Sequence, residues 1–273
     1  MADWSAIWRN GERVDALDAG DRGLAYGDGL YETMRASGGA LPWWPQHRAR
    51  LGHGAERLGL ALPADALFNE ALAAATMQAP DGVVKLIMTR GAGARGYAPP
   101  ADATPTLLVS ASAALPPPLP ALHVGLLDLR LGVQPTLAGL KHLNRLEQVL
   151  GASEAQRRGF DDGLMADAEG WLTCSTRANL FAFVGGRWIT PPLERAGVAG
   201  VTRALLLRDW PALSVAPLAA SDLSNVDALF LANAVRGILA VRQCDGRALD
   251  ARRADLAAAR TALAASHPGF REA

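Results

Sequence analysis

The stretch "PPPLP", residues 116–120, divides this chain in two. Consecutive prolines fix φ and donate no backbone hydrogen bonds, so the run continues neither a strand nor a helix. It is the Pro-rich stretch that reads as a linker, and it sets a first domain at 1–115 against a second at 121–273. Upstream, "IWRNGERV" (7–14) is two short extended runs joined by Asn10-Gly11, the strongest short hairpin signal. "GLYETMRASGGALPWW" (29–44) repeats that design around Gly38-Gly39. In "PQHRARLGHGAERLGL" (45–60), Leu51, Ala55 and Leu58 share one helical face and the Arg and His residues take the other. Residues 64–78 are Ala-rich and helical, and 82–90 and 104–113 read as strands. Downstream come a strand at 121–129, a helix at 144–158 and strands at 160–168, 171–174 and 179–184. Gly185-Gly186 turns the last of these into "RWITP". A helix follows "GVAGVT", then the strands "DALFLANAV" and "GILAVRQC", then an Ala/Arg/Leu helix. Hairpins first and mixed elements afterwards predict two α+β domains.

The 273 residues include 27 Lys plus Arg and 27 Asp plus Glu, so the formal charge is zero. A nucleic-acid binder needs a basic face, and this balance argues against one. Half the residues are hydrophobic and a fifth are charged, which is ordinary globular composition. The opening "MADWSAIWRN" lacks the basic and apolar segments of a secretory signal, and no apolar run approaches the roughly 20 residues a membrane span needs. Cys174 and Cys244 form neither a disulfide framework nor a CxxC, and the five His are scattered, so no metal is expected. The expectation is a soluble cytoplasmic protein acting on a small molecule.

Four stretches carry candidate chemistry. In "LAGLKHLNRLEQVL" (137–150), Lys141 has apolar neighbours, and Asn144 with Glu147 has the spacing of a capping box. A helix would then start just after the lysine. A lysine in dry surroundings sheds its charge more readily and becomes a usable amine nucleophile; a surface lysine is the plainer reading. "GVAGVTR" (197–203) places two glycines before an apolar run, as an anion cup at a helix start does, though ordinary loops look the same. Asn233 of "NAV" (233–235) ends a strand and can donate to the same anion. Arg50 can add a charge-assisted bond, or simply be solvated. "RGAGARGY" (90–97) presents Arg95 and Tyr97, as a carboxylate trap or as an ordinary surface loop.

The segment 137–150 resembles the lysine segment of the aminodeoxychorismate lyase family, a branch of the fold-type IV pyridoxal-phosphate enzymes. "DRGLAYGDGLYETMR" (21–35) resembles the signature of that whole group, which includes branched-chain and D-amino-acid aminotransferases. "RGAGARGY", "EGWLTCSTRANLF" (169–181), "GVAGVTR" and "NAV" follow in the family's order. The resemblance runs from about Asp21 to Val241. It implies a D-amino-acid aminotransferase-like fold, with a smaller N-terminal α/β sandwich and a larger C-terminal barrel-like domain carrying the lysine. It implies pyridoxal phosphate as cofactor and a homodimer. The activity it implies is a lyase converting 4-amino-4-deoxychorismate to 4-aminobenzoate and pyruvate, with an aminotransferase of the same fold as the alternative. A non-catalytic binding protein is a third reading.

By the same resemblance, Lys141 matches the cofactor lysine and the general base. Arg50, Val201, Thr202, Asn233 and Ala234 match positions around the cofactor phosphate. Tyr31 matches an aromatic residue on the substrate side, and Arg95 and Tyr97 match carboxylate contacts. One departure stands out: Cys174 occupies the position where relatives place a glutamate beside the pyridine nitrogen. It either weakens the electron sink as a thiol or pairs with the nitrogen as a thiolate. Glu169 lies nearby but before the turn, and is not expected to substitute.

Overall fold

Asn10 and Gly11 both take positive φ, 54° and 79°, the pair of values a two-residue hairpin turn requires. They join β1 (Trp4–Arg9) to β2 (Glu12–Val14), as the sequence predicts. The computed structural model describes residues 3–93, 95–115 and 120–271. Most of the expected linker, 116–119, lies outside the described residues. The contacts of the chain define two units. The first comprises Met1–Pro116, Lys141–Asn144 and His267–Gly269, and the second Pro117–Leu140, Arg145–Ser266 and Phe270–Ala273.

After β2 the first unit adds α1 (Arg22–Tyr26), β3 (Gly29–Arg35), α2 (Trp44–Leu58), α3 (Asp65–Gln78), β4 (Val83–Thr89) and β5 (Thr106–Ser112). The five strands form one antiparallel sheet in the order β2-β1-β5-β4-β3. Alternate residues such as Trp8, Met34, Leu86 and Val109 are buried in one core with Leu51 and Ala55 of α2 and Phe68 and Ala75 of α3. The result is a sheet with helices on one face. Two expectations change here. Gly38 and Gly39 do turn, with φ of 58° and 77°, but the returning arm makes a single bridge, Ser37 to Ala40. Pro42 and Pro45 cannot donate to a ladder, and Pro45 instead lies in the first turn of α2. His47 does not join the polar face of α2; it is buried with Leu51 and Ala55, one and two turns further along.

The second unit is built from β6 (Leu122–Leu131), α4 (Leu146–Arg157), β7 (Asp162–Asp167), β8 (Leu172–Ser175), β9 (Asn179–Val184) and β10 (Arg187–Thr190). There follow α5 (Val201–Asp209), β11 (Leu213–Val215), β12 (Ala228–Asn233), β13 (Gly237–Cys244), β14 (Arg247–Ala248) and α6 (Asp255–Ser266). The sheet runs β11-β10-β9-β12-β13-β6-β7-β8, and β8 pairs back onto β9 through Cys174 and Asn179. Six strands therefore close on themselves. Every one of them sends at least one residue into one cluster, which includes Val124, Leu164, Leu172, Leu180, Leu231 and Val241. That cluster is the filled interior of a barrel. On the opposite face of β9 and β12, Phe181 and Phe230 stack at 4.4 Å beside Trp188 and Trp210. The expected fold class, an N-terminal α/β sandwich and a barrel-like C-terminal domain, is what the chain adopts.

Candidate active site

β3 is an edge strand, and the segment carrying Lys141 covers that edge. Tyr31 N donates to Lys141 O at 3.0 Å, Leu143 N donates to Gly29 O at 3.0 Å, and Leu30 bridges His142. These backbone bonds place Lys141–Asn144 in the first unit, whereas the sequence reading assigned the lysine to the second domain. They also fix where the side chain starts. Lys141 Nζ lies 4.0 Å from the centre of the Tyr31 ring, whose π face favours a cation. The expected capping box is not made. Asn144 Nδ2 donates to Gly27 O, Glu147 accepts from Gly132 N, and α4 begins at Leu146 without a side-chain cap.

Next to Tyr31, Glu32 stands in the core-facing row of β3 between Leu30 and Met34. A carboxylate there must be paired. Arg50 of α2 binds both its oxygens, through Nε at 2.8 Å and through Nη2, and His47 Nδ1 lies 2.6 Å from Oε2. Burial pulls the Glu32 pKa upward, but the Arg50 charge and the hydrogen bonds from His47 and Arg50 overcome it and hold the carboxyl down at about 2. Burial lowers the pKa of His47, against the attraction of Glu32 and helped by the charges of Arg50 and Lys141, so His47 is neutral at pH 7. Sequence reading singled out Arg50 but missed Glu32 and His47. The signal available was an acid in a strand row that is otherwise apolar.

In the second unit, α5 starts at Val201 after Gly200, with no side chain capping it. Its first N–H groups have no partner within the helix. Thr202 is 1 % exposed, and its hydroxyl has no hydrogen-bond partner among the described residues. A Cβ at Gly200 would collide with Asn179 Oδ1, while Asn179 Nδ2 donates to Val198 O at 2.9 Å. Gly139 N donates to Gly197 O and Ala199 N donates to Gly139 O, so the two strands of chain leading to Lys141 and to α5 are bonded together. Asn233, at the end of β12, donates through Nδ2 to Arg177 O at 3.4 Å. Its Oδ1 accepts from Val235 N and Arg236 N, shaping the turn from β12 to β13, and Ala234 sits in that turn. Cys174, on β8, is 6 % exposed. Burial pushes its thiol up to about 12 and the Asp162 carboxylate adds to the shift, so of the two forms weighed above it is the neutral thiol. Glu169 is an exposed turn residue paired with Arg195.

Arg95 and Tyr97 are both exposed, Tyr97 at 86 %. Their loop is held from below by buried Arg22, which donates to Gly96 O at 3.0 Å and Tyr97 O at 2.6 Å and pairs with Asp28 at 2.9 Å. Tyr26 packs on Tyr97 with ring centres 5.4 Å apart. Gly91, Gly93 and Gly96 have the GxGxxG spacing after β4, but among the described residues no helix follows before β5, so this is no dinucleotide fingerprint.

Residues 29–244 match the amino-transferase class IV family. The chain belongs to that family. Among class IV relatives it is 31 % identical to the aminodeoxychorismate lyase of Vibrio harveyi over 86 % of this chain and 90 % of that one. The crystal structure of 4-amino-4-deoxychorismate lyase from Pseudomonas aeruginosa superimposes with a TM-score of 0.83 at 40 % identity, covering 90 % of this chain and 94 % of that one. The D-alanine aminotransferase of Bacillus licheniformis is 26 % identical over 86 % of this chain and 85 % of its own length. Class IV proteins use pyridoxal phosphate, and the residues present suit it. An uncapped helix start and a buried hydroxyl without a partner among the described residues suit a phosphate. Lys141 carries a primary amine, the group to which such a cofactor can be anchored.

Proposed function

We propose that the protein is a pyridoxal-phosphate-dependent lyase that converts 4-amino-4-deoxychorismate to 4-aminobenzoate and pyruvate. The observation that carries this reading is Lys141, fastened by its backbone to β3 with its amine over Tyr31, in a chain 40 % identical to a lyase of that name. Bound pyridoxal phosphate supplies a covalent anchor for an amine and an electron sink for a carbon that loses its proton. Lys141 Nζ is the group that anchors it. Val201 and Thr202 offer N–H groups and a hydroxyl to its phosphate, Asn233 and Ala234 flank it through the turn they form, and Arg50, oriented by Glu32, contributes positive charge. Once free, Lys141 Nζ takes the proton from the amine-bearing ring carbon of the substrate. Enolpyruvate then leaves the neighbouring carbon as its enolate and regains a proton to become pyruvate, and the ring becomes aromatic. Tyr31 lines the substrate side, and Arg95 and Tyr97 receive a substrate carboxylate.

Cys174 separates this reading from an aminotransferase, the activity named for the Bacillus licheniformis relative. A neutral thiol does not hold a pyridine nitrogen protonated, and transamination leans on that proton. The lyase has aromatisation to assist it. Cys174→Glu should therefore raise transaminase turnover relative to lyase turnover; an unchanged ratio would contradict the assignment.

The protein acts as a cytoplasmic homodimer in this proposal. Among the described residues no helix is long and apolar enough to cross a membrane. Leu146, Val149 and Leu150 line one stripe of α4 and are exposed, as a subunit contact would leave them in a single chain. The direct test mixes purified protein and pyridoxal phosphate with 4-amino-4-deoxychorismate, without amino donor or 2-oxo acid. Equal release of 4-aminobenzoate and pyruvate is expected. A requirement for an acceptor acid would move the assignment to the aminotransferase.

A further inference from the structure

β13 shows one face to the barrel interior, through Leu239 and Val241, and the other to α6 and the segment before it. On that second face lie Ile238, Ala240 and Arg242. With Ala251, Arg252 and Arg260 they line a cleft of about 420 Å³. That volume falls in the range of roughly 300–1,000 Å³ typical of small-molecule sites. Its floor is apolar and its charged lining residues are all arginines. None of the three guanidinium groups has a carboxylate partner among the described residues, and none belongs to the candidate active site. The acids nearest in sequence are engaged: Asp255 takes Trp188 Nε1 at 2.8 Å and Arg253 at 3.1 Å, and Asp250 accepts from Arg252 N at 3.1 Å.

The walls of the cleft are also held in place. Arg242 Nε donates to Ala121 O at 2.9 Å. Arg253, next to Arg252, lies 3.6 Å over the Phe183 ring while it pairs with Asp255. Like charges that line one cleft repel one another, and an anion relieves that repulsion. Charge alone would suit any anion, but Ile238, Ala240 and Ala251 offer nothing to one that is polar all round.

We propose that this cleft binds a small organic carboxylate with a compact apolar body, the carboxylate on Arg242, Arg252 and Arg260 and the body on Ile238, Ala240 and Ala251. The probe is benzoate, titrated by calorimetry into the protein loaded with pyridoxal phosphate. Inorganic phosphate, which is charge without an apolar body, and benzyl alcohol, which is the body without charge, are titrated alongside. The comparison protein is Arg252→Ala/Arg260→Ala. Both residues are exposed, so the double variant should keep its melting temperature and its rate of product release. Saturable benzoate binding is expected, weakened about ten-fold or more in the double variant, with weaker phosphate binding and none of benzyl alcohol. The proposal is overturned by benzoate that binds the double variant as well as the parent, by phosphate that binds as tightly as benzoate, or by no saturable binding at all. Benzoate resembles the proposed product, so only the binding that is lost in the double variant is assigned to this cleft, and that loss does not depend on the reaction the enzyme performs.

Discussion

Glu32 and Thr202 are equally inaccessible, each 1 % exposed, yet the fold treats them in opposite ways. Glu32, in the first unit, is surrounded: Arg50 takes both oxygens and His47 a second bond to one of them. Thr202, in the second unit, has a hydroxyl with no partner at a helix start with no cap. A buried polar group that is paired holds a structure together by itself, and one that is left unpaired costs stability until something binds. In the proposed reading, the contrast separates residues that position the site from residues that meet the cofactor.

The largest expected effect belongs to Lys141. Lys141→Ala removes the amine and leaves the backbone bonds to β3 intact, so folding should persist while kcat falls by at least about 10³-fold. A variant that retained near-parental turnover would remove Lys141 from the chemistry.

Glu32→Gln tests the paired side. The carboxyl is held at about 2, below its ordinary value of 4.5, so its stabilisation is fully present above 4.5 and is lost as pH falls from 4.5 towards 2. Denaturant unfolding at pH 7 should show a loss of about 3 kcal/mol in the variant, and the gap to the parent should close as pH approaches 2. A gap independent of pH would mean that shape, not charge, is what Glu32 contributes.

Much of the architecture is legible in the sequence because its causes are local. Asn10-Gly11 dictates a hairpin through φ alone, and the alternation in β12 and β13 announces strands without help from elsewhere. What escapes reading is set by residues distant along the chain. The barrel closes where Cys174 meets Asn179 and where β6 runs between β13 and β7, pairings that no local pattern specifies. His47 looks like a polar-face residue until Glu32 is placed beside it, fifteen positions away in sequence. Asn144 and Glu147 have the spacing of a cap, but Gly27 and Gly132 claim their side chains first. The candidate site divides the same way. The lysine segment and the glycines before α5 are visible as sequence, whereas the ionisation of Cys174 follows from burial and from Asp162, which only the fold brings together.

The smallest expected effect is the most direct test of the contrast. Thr202→Val keeps the volume and removes the unpartnered hydroxyl. The measurement is the affinity for pyridoxal phosphate by absorbance titration, read together with the unfolding free energy of the cofactor-free protein. The affinity should fall about ten-fold while cofactor-free stability holds or rises by up to about 1 kcal/mol, because the group removed was a burden in the empty protein and a bond in the loaded one. Unchanged affinity with lower stability would show that the hydroxyl is structural, and would contradict the assignment of the α5 start to the cofactor phosphate.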